Sequence, residues 1–344
     1  MASASQRLTT AEQILFEIAP PTALLPSKAT GDFDNATPTG GHYGSLITAS
    51  TSLMRKILHI SDLHFGSPYV HAVGEALQAI VPSLEPEAIV VSGDLSQRAR
   101  RHEFQQASSF LKRLPEVPLM VIPGNHDVPL WRVVERLFTP HKIYREVISD
   151  DLNPILHLDG VTLVGLDSTS PRRSISNGRI HLEQLDHCER IFAQTPPGNV
   201  RIVVAHHHFA PGPDYLRDWT MPKARRAIDR FVDQGVEMIL GGHLHRSYIG
   251  NSLDFFPGNH RDRGIIIVQC GTSTSSRGRG RERNENTFNL IEAGPDILSV
   301  THYMYFEKQG TFAPLSRHQF PRPGNSLEPA ATSRPAQDLM PATP

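Results

Sequence analysis

Cysteine is nearly absent: Cys188 and Cys270 are the only two in 344 residues, too few for a disulfide framework. Cys188 falls in a predicted helix and Cys270 at the end of a predicted strand. Both read as reduced, partly buried residues, which points to a cytoplasmic protein. Long apolar runs are missing as well, since no stretch approaches the roughly 20 residues that a membrane helix needs. Residues 1–53 offer neither a basic n-region nor a continuous hydrophobic segment after it, so no secretory signal is expected and Asn35-Ala36-Thr37 carries little weight as a glycosylation site. Charge of one sign is also lacking. A formal net charge of -1 creates no global field toward nucleic acid or anionic membranes. What remains is an ordinary globular balance, 39% hydrophobic and 20% charged, in a chain long enough for one large domain or two small ones.

Residues 1–53 are rich in Ala, Ser, Thr, Pro and Gly and are expected to form a disordered extension, with Met54 a candidate translation start. Residues 308–344, Pro- and Ser-rich from about Pro321, read as a flexible tail. The domain is expected over 54–307. Within it, residues 70–84, 101–114, 130–148, 181–193 and 222–234 carry apolar side chains at helical spacing. A second set of strands is expected in 155–167, 264–270, 287–292 and 297–305. Many strands with helices between them suggest two sheets packed face to face under helices.

Five short apolar runs each stop at a metal-capable residue. Residues 56–61 precede Asp62-Leu63-His64, 88–93 precede Asp94, and 119–124 precede Asn125-His126-Asp127. Residues 201–205 precede His206-His207-His208, and 236–242 precede His243-Leu244-His245. Runs of this length and β-branched content read as buried strands. In open α/β sheets the ligand site lies beyond the carboxyl ends of the strands, so five such ends on one rim can surround two cations.

Singly, each motif has an ordinary structural explanation. In extended geometry Asp62 and His64 point to one side and Leu63 to the core. Asp94 could cap the following helix, or bridge two cations. Asn125 offers a neutral carbonyl oxygen suited to hard or borderline ions. His126 can face a substrate, and Asp127 can orient it. The three histidines 206–208 cannot all bind one ion, and alternation sends His206 and His208 one way and His207 the other. Together the five motifs point to a metal centre.

In this order the residues resemble the calcineurin-like metallophosphoesterases. Asp62 and His64, Gly93 and Asp94, Gly124 to Asp127, His206, and Gly242 to His245 match that family's Asp-x-His, Gly-Asp, Gly-Asn-His-Asp/Glu, His and Gly-His-x-His. The resemblance implies an α/β fold, a four-layer αββα sandwich of two mixed β-sheets flanked by helices, with the metal site at the C-terminal ends of the strands. It also implies one metal on Asp62, His64, Asp94 and His245, a second on Asp94, Asn125, His206 and His243, and a phosphate contact from His126. Many relatives carry His-His-Pro where this chain has His206 to His208, which leaves His207 a rival to His206. Gly165 to Ser168, Gly178 to Ile180 and Gly271 to Ser276 look closest to the class III cyclic-nucleotide phosphodiesterase branch.

The expected activity is hydrolysis of a small phosphodiester, a cyclic nucleotide among the candidates, by attack of a metal-bridging hydroxide. His126 is the expected catalytic residue and Asn125, His126, Arg277 and Arg279 the expected substrate contacts. Arginine suits a phosphate-facing rim because it binds phosphate bidentately. The mixed Asp, Asn and His set suits Mn, Fe or Zn better than Ca. A nuclease and a UDP-diacylglucosamine-type pyrophosphatase are the rival enzymes, and a non-catalytic protein-binding scaffold the rival of another class. Interleaved aromatics are lacking, so dedicated nucleic-acid binding is not expected; neither is a membrane partner, and a homodimer stays open.

Overall fold

The structure is a computed structural model that describes residues 54–173, 178–212, 220–256 and 264–322. The first sheet is built on three parallel strands, β1 (Arg55–Ile60), β2 (Ala88–Val91) and β3 (Leu119–Val121). The second begins with β4 (Ile155–Leu158) and β5 (Val161–Leu166), then adds β6 (Val200–Ala205), β7 (Met238–Gly241), β8 (Tyr248–Asn251) and β9 (Ile266–Gln269) in the order β4-β5-β6-β7-β9-β8. The chain then returns to the first sheet as β10 (Thr287–Ala293), β11 (Ile297–Phe306) and β12 (Thr311–Pro321), giving β12-β11-β10-β1-β2-β3.

The strands alternate their apolar side chains between two cores, as the period-2 geometry of a strand requires. Ile57, Val90, Met120, Leu163, Val204, Leu240 and Val268 pack in the layer between the sheets. Leu58, Ile60, Ile89 and Val91 face outward, where α1 (His71–Leu84) and α2 (Arg101–Leu111) cover them with Leu77, Phe104 and Phe110. Beyond β3 come two short helices, α3 (Val133–Phe138) and α4 (Lys142–Val147). The outer face of the second sheet is covered by α5 (Leu182–Gln194) and α6 (Ala224–Asp233) through Leu185, Phe192, Ile228 and Phe231. The result is the expected four-layer αββα sandwich of two mixed sheets. Among the described residues no helix is long and apolar enough to cross a membrane. Both cysteines are free and buried.

Several expectations need correction. The five motif-bearing strands do not share one sheet: β1, β2 and β3 belong to the first, β6 and β7 to the second. The motifs therefore meet across the gap between two parallel strand sets. The single helix expected over 130–148 is two, broken at Thr139-Pro140, because a residue before proline is driven out of helical geometry. The expected strand 155–167 folds back on itself as β4 and β5 around Asp159-Gly160, with Gly160 at φ +77°. The domain also runs past its expected end at 307. β12 pairs along the whole of β11 as the edge of the first sheet, where Pro314 is tolerated. Residues 1–53 and the last part of the expected tail, 323–344, lie outside the described residues.

Candidate metal centre

All five motifs converge at the carboxyl ends of β1, β2, β3, β6 and β7. Asp62, His64, Asp94 and His245 are buried and offer ligand atoms that all lie within 4.8 Å of one another. Beside them, His206 Nε2 lies 3.1 Å from Asn125 Oδ1 and 3.4 Å from Asp94 Oδ2. His243 Nδ1 lies 2.8 Å from the same Asn125 oxygen. Asp94 thus touches both groups of residues. All seven candidate ligands read from the sequence are brought together.

The backbone that presents them is unusual. Eight described non-glycine residues have positive φ, and five of them are Asp62, His64, Asp94, His243 and His245. Asp62 and His64 are therefore left-handed residues past the end of β1, in place of the extended pair expected. For an L-residue that conformation costs about 1–2 kcal/mol, and such strain persists at functional sites only where the surroundings over-determine it. Here they do. Asp62 N–H donates to Gly93 O at 3.0 Å and His64 N–H to Asp94 O at 3.0 Å. Gly93, at φ +105°, has no room for a side chain, because a Cβ would lie 2.5 Å from His206 Nδ1.

Hydrogen bonds at the rear of two of the imidazoles fix which nitrogen faces inward. His206 Nδ1 lies 2.8 Å from the Ser92 carbonyl and His245 Nδ1 lies 2.9 Å from the Arg277 carbonyl. A carbonyl only accepts, so both Nδ1 atoms carry a proton, and in the neutral rings, the form that binds a metal, both Nε2 lone pairs point inward. There each faces a carboxylate oxygen. His245 Nε2 lies 3.1 Å from Asp62 Oδ1 and 3.0 Å from His64 Nε2. Asp62 Oδ1 and Asp94 Oδ2 are buried without a hydrogen-bond partner. Acceptors facing acceptors in a dry pocket are what cations resolve, so the donor set fits two metal ions.

The charge states agree with that arrangement. Burial would raise the carboxyls, yet His245 and His64 around Asp62, and His206 and His126 around Asp94, hold both well below the usual carboxylate range. Burial pushes His64 down to about 3. It also holds His243 well below the usual imidazole range, reinforced by His207 and His206. Burial acts on His206 too, but Asp94 overrides it and raises that ring to about 9. In the protein alone, protonated His206 supplies the cation that Asp94 requires.

His126 stands at the edge of this cluster. Its Nδ1 donates to Gln97 O at 2.9 Å, leaving Nε2 to accept from Arg277 Nη1 at 3.1 Å. Burial lowers its pKa, Asp94 pulls against that, and the neighbouring Arg277 guanidinium adds a further lowering. Arg277 Nη1 also donates to Gln97 Oε1 at 2.9 Å. Of the two arginines expected at the substrate, only Arg277 reaches the cluster. Arg279 has an exposed side chain, and its backbone N–H donates to His245 O at 3.3 Å. Asp127 is turned away as a loop clamp: its carboxylate accepts from the backbone N–H groups of Leu95, Ser96 and Gly124.

The three histidines do not alternate as expected, because β6 ends at Ala205. All three rings crowd His243, with centroids 5.3, 4.7 and 5.6 Å away for His206, His207 and His208. Only His206 faces Asp94 and Asn125. His207 Nδ1 is held by Ser168 Oγ at 2.8 Å. Gln97 was not singled out in the sequence, and Ser92 and Ser168 entered only within the 88–93 run and the Gly165 to Ser168 segment. Two of them act through backbone carbonyls, and a carbonyl leaves no trace in residue type.

Comparison with known proteins agrees with the fold and motifs. The calcineurin-like phosphoesterase family model matches residues 55–247. The chain belongs to that family, a family of metal-dependent hydrolases. It is 24% identical over 165 residues to a probable glycerophosphodiester phosphodiesterase of Arcobacter nitrofigilis, covering 47% of this chain and 58% of that protein. It is 41% identical over 81 residues to the glycerophosphodiester phosphodiesterase of Enterobacter lignolyticus, covering 21% of this chain and 29% of that one. The chain thus spans less than two thirds of either relative. Among solved structures, a purple acid phosphatase from yellow lupin seeds superposes with a TM-score of 0.62 at 12% identity, covering 79% of this chain and 54% of that one. A dimetal phosphatase from Danio rerio superposes with a TM-score of 0.54 at 11% identity, over 78% and 99%.

Proposed function

We propose that this protein is a two-metal phosphodiesterase acting on small phosphodiesters of the glycerophosphodiester kind. The observation that carries the reading is the buried cluster in which ring nitrogens of His64, His206 and His245 face the carboxylates of Asp62 and Asp94. One ion would be held by Asp62, His64, Asp94 and His245, the other by Asp94, Asn125, His206 and His243. When bound, two such ions polarise the phosphoryl group and generate a nucleophile from water at neutral pH.

The protein's own groups complete the chemistry. Arg277, held by Gln97, directs a guanidinium toward the space beside His126, where phosphate oxygens would lie. His126 Nε2 is an acceptor in this state. A phosphate oxygen that draws Arg277 away frees that nitrogen to take a proton from solvent water and pass it to the leaving alkoxide. Preference for a diester is supported by the glycerophosphodiester phosphodiesterases that the chain resembles. A 3',5'-cyclic nucleotide is a second candidate, since Gly178, in the segment similar to that branch, packs against the His207 ring.

The test is a hydrolysis screen of Mn-loaded protein against bis-p-nitrophenyl phosphate, p-nitrophenyl phosphate, glycerophosphodiesters, 3',5'-cyclic AMP, UDP-diacylglucosamine and single-stranded DNA. Turnover of the glycerophosphodiesters above the monoester is expected. Turnover confined to the monoester, to the nucleotide-sugar lipid or to DNA would replace the reading.

A further inference from the structure

A cavity of about 390 Å³ opens directly beside the candidate centre. Asn125 and His126 form its inner end, and Arg98, Arg100 and Arg132 with Val128, Leu130 and Trp131 form much of the rest. No carboxylate lines it. Arg132 is partly neutralised by Glu135 at 2.9 Å. The side chains of Arg98 and Arg100 are exposed, and neither forms an ion pair among the described residues.

The loop that carries these arginines is built rigidly. Ala99, between them, is left-handed at φ +54°, a strained geometry for alanine. It is held from four sides. Glu103 accepts the Arg98 and Arg100 backbone N–H groups at 2.8 and 3.1 Å. Ser96 Oγ accepts Ala99 N–H at 3.1 Å, and Arg132 Nη2 donates to Ala99 O at 2.7 Å. Glu103, in the first turn of α2, is thus spent on backbone rather than on the guanidiniums. At the mouth stands Trp131, 78% exposed.

We propose that this cavity is the subsite for the second ester arm of the diester and that it selects arms by charge, favouring an anionic arm, accepting a neutral one and rejecting a cationic one. The inference rests on the phosphodiesterase reading and narrows its substrate class. A volume of this size is at the lower end of small-ligand pockets, enough for a polyol or sugar-sized arm. A cleft lined by one sign of charge raises the local concentration of the opposite sign. Arginine pairs bidentately with phosphate or carboxylate. The Trp131 face attracts an ammonium group, but one exposed ring is set against three guanidiniums.

Two measurements test it. In the first, kcat/KM of the Mn-loaded enzyme is compared on glycerophosphoinositol 4-phosphate, glycerophosphoglycerol and glycerophosphocholine. The anionic arm should exceed the cationic one by about tenfold or more at low salt, and the ratio should shrink as salt screens the pocket. In Arg98→Ala/Arg100→Ala the ratio should fall toward unity. A wild-type preference for the choline diester, or a ratio untouched by the double variant, overturns the proposal. In the second, Trp219→Phe leaves Trp131 as the sole tryptophan. Its emission is titrated with inositol 4-phosphate and with choline, without turnover. A saturable change with the anion alone, lost on replacing both arginines, supports the subsite. A response to choline alone, or to neither, sinks it. Should no diester, bis-p-nitrophenyl phosphate included, be hydrolysed, the catalytic reading fails while the fluorescence still decides the pocket.

Discussion

The backbone N–H of His126 donates to Asp94 Oδ1 at 2.7 Å. The loop that carries the candidate phosphate-contacting imidazole therefore hangs on the carboxylate proposed to lie between the two ions. Asp94→Ala should abolish turnover, lower bound metal and leave a buried N–H without its acceptor, a loss of about 1–3 kcal/mol in stability. Asp94→Asn retains an oxygen for that N–H and should recover stability without recovering metal. Metal analysis beside urea unfolding separates the two effects; an alanine variant that keeps two ions and wild-type turnover refutes the bridging assignment.

His126→Ala should keep near-normal metal content and lose about 10²–10⁴-fold in turnover. The deficit should be largest on substrates with poor leaving groups and smallest on p-nitrophenyl esters. A variant that loses metal instead would move His126 into the ligand set.

The three consecutive histidines should rank by what each faces. His206→Ala should deplete the second metal. His207→Ala should weaken metal binding about 10–100-fold at most, by releasing Ser168 and the packing on His243. His208→Ala should be the mildest. Metal titration of the three variants is the check, and depletion by His207→Ala beside a normal His206→Ala would shift the ligand by one residue.

Metal binding should release protons. His206, raised to about 9 with Asp94 pulling it up against burial, is protonated at pH 8, whereas a ligand must be neutral. Calorimetric titration with Mn in two buffers of different ionisation heat should therefore report proton release at pH 8 that fades as the pH passes 9, with apparent affinity weakening below that value. His206→Asn should remove that component.

Two buried histidines should make the fold sensitive to acid, against an opposite contribution from Asp127, which burial and Asp94 raise to about 7. His59 and His302 share Asn289: its Nδ2 donates to His59 Nδ1 at 3.2 Å, and its Oδ1 accepts from His302. Burial lowers His59 to about 3 and His302 to about 4. Their folded pKa values lie below the unfolded value of roughly 6.5. The stabilisation is thus complete above that pH and is lost as the pH falls through the window toward 4, by about 1.4 kcal/mol per pH unit for each ring. Urea unfolding from pH 7 to 4.5 should show this slope, and His302→Gln should reduce it by one ring's share.

How much of this was legible depended on which atoms do the work. The strand ends and the seven candidate ligands could be read because each announces itself by residue type beside an apolar run. The division of β1–β3 and β6–β7 between two sheets could not, since a strand does not encode its neighbour. β12 was hidden by Pro314, which argues against a strand unless the strand is an edge. The Ser92 and Arg277 carbonyls that set the tautomers of His206 and His245 belong to every residue type. Arg98 and Arg100 belong to no motif in the sequence, and it is the turn at Ala99 that brings both to one cavity.

The left-handed backbone at Asp62, His64, Asp94, His243 and His245 also limits how the metal preference of this centre could be altered in the laboratory. Asn, Asp and His are the side-chain-bearing residues that enter this conformation most readily. A library that exchanges Asp for Glu, or His for Cys, to recruit a softer or harder ion would change the donor atom and load the backbone at the same time. Variants confined to Asp, Asn and His alter the donor alone. Selectivity should be easier to shift from Asn125 and His206, the two candidate ligand positions free of that restraint.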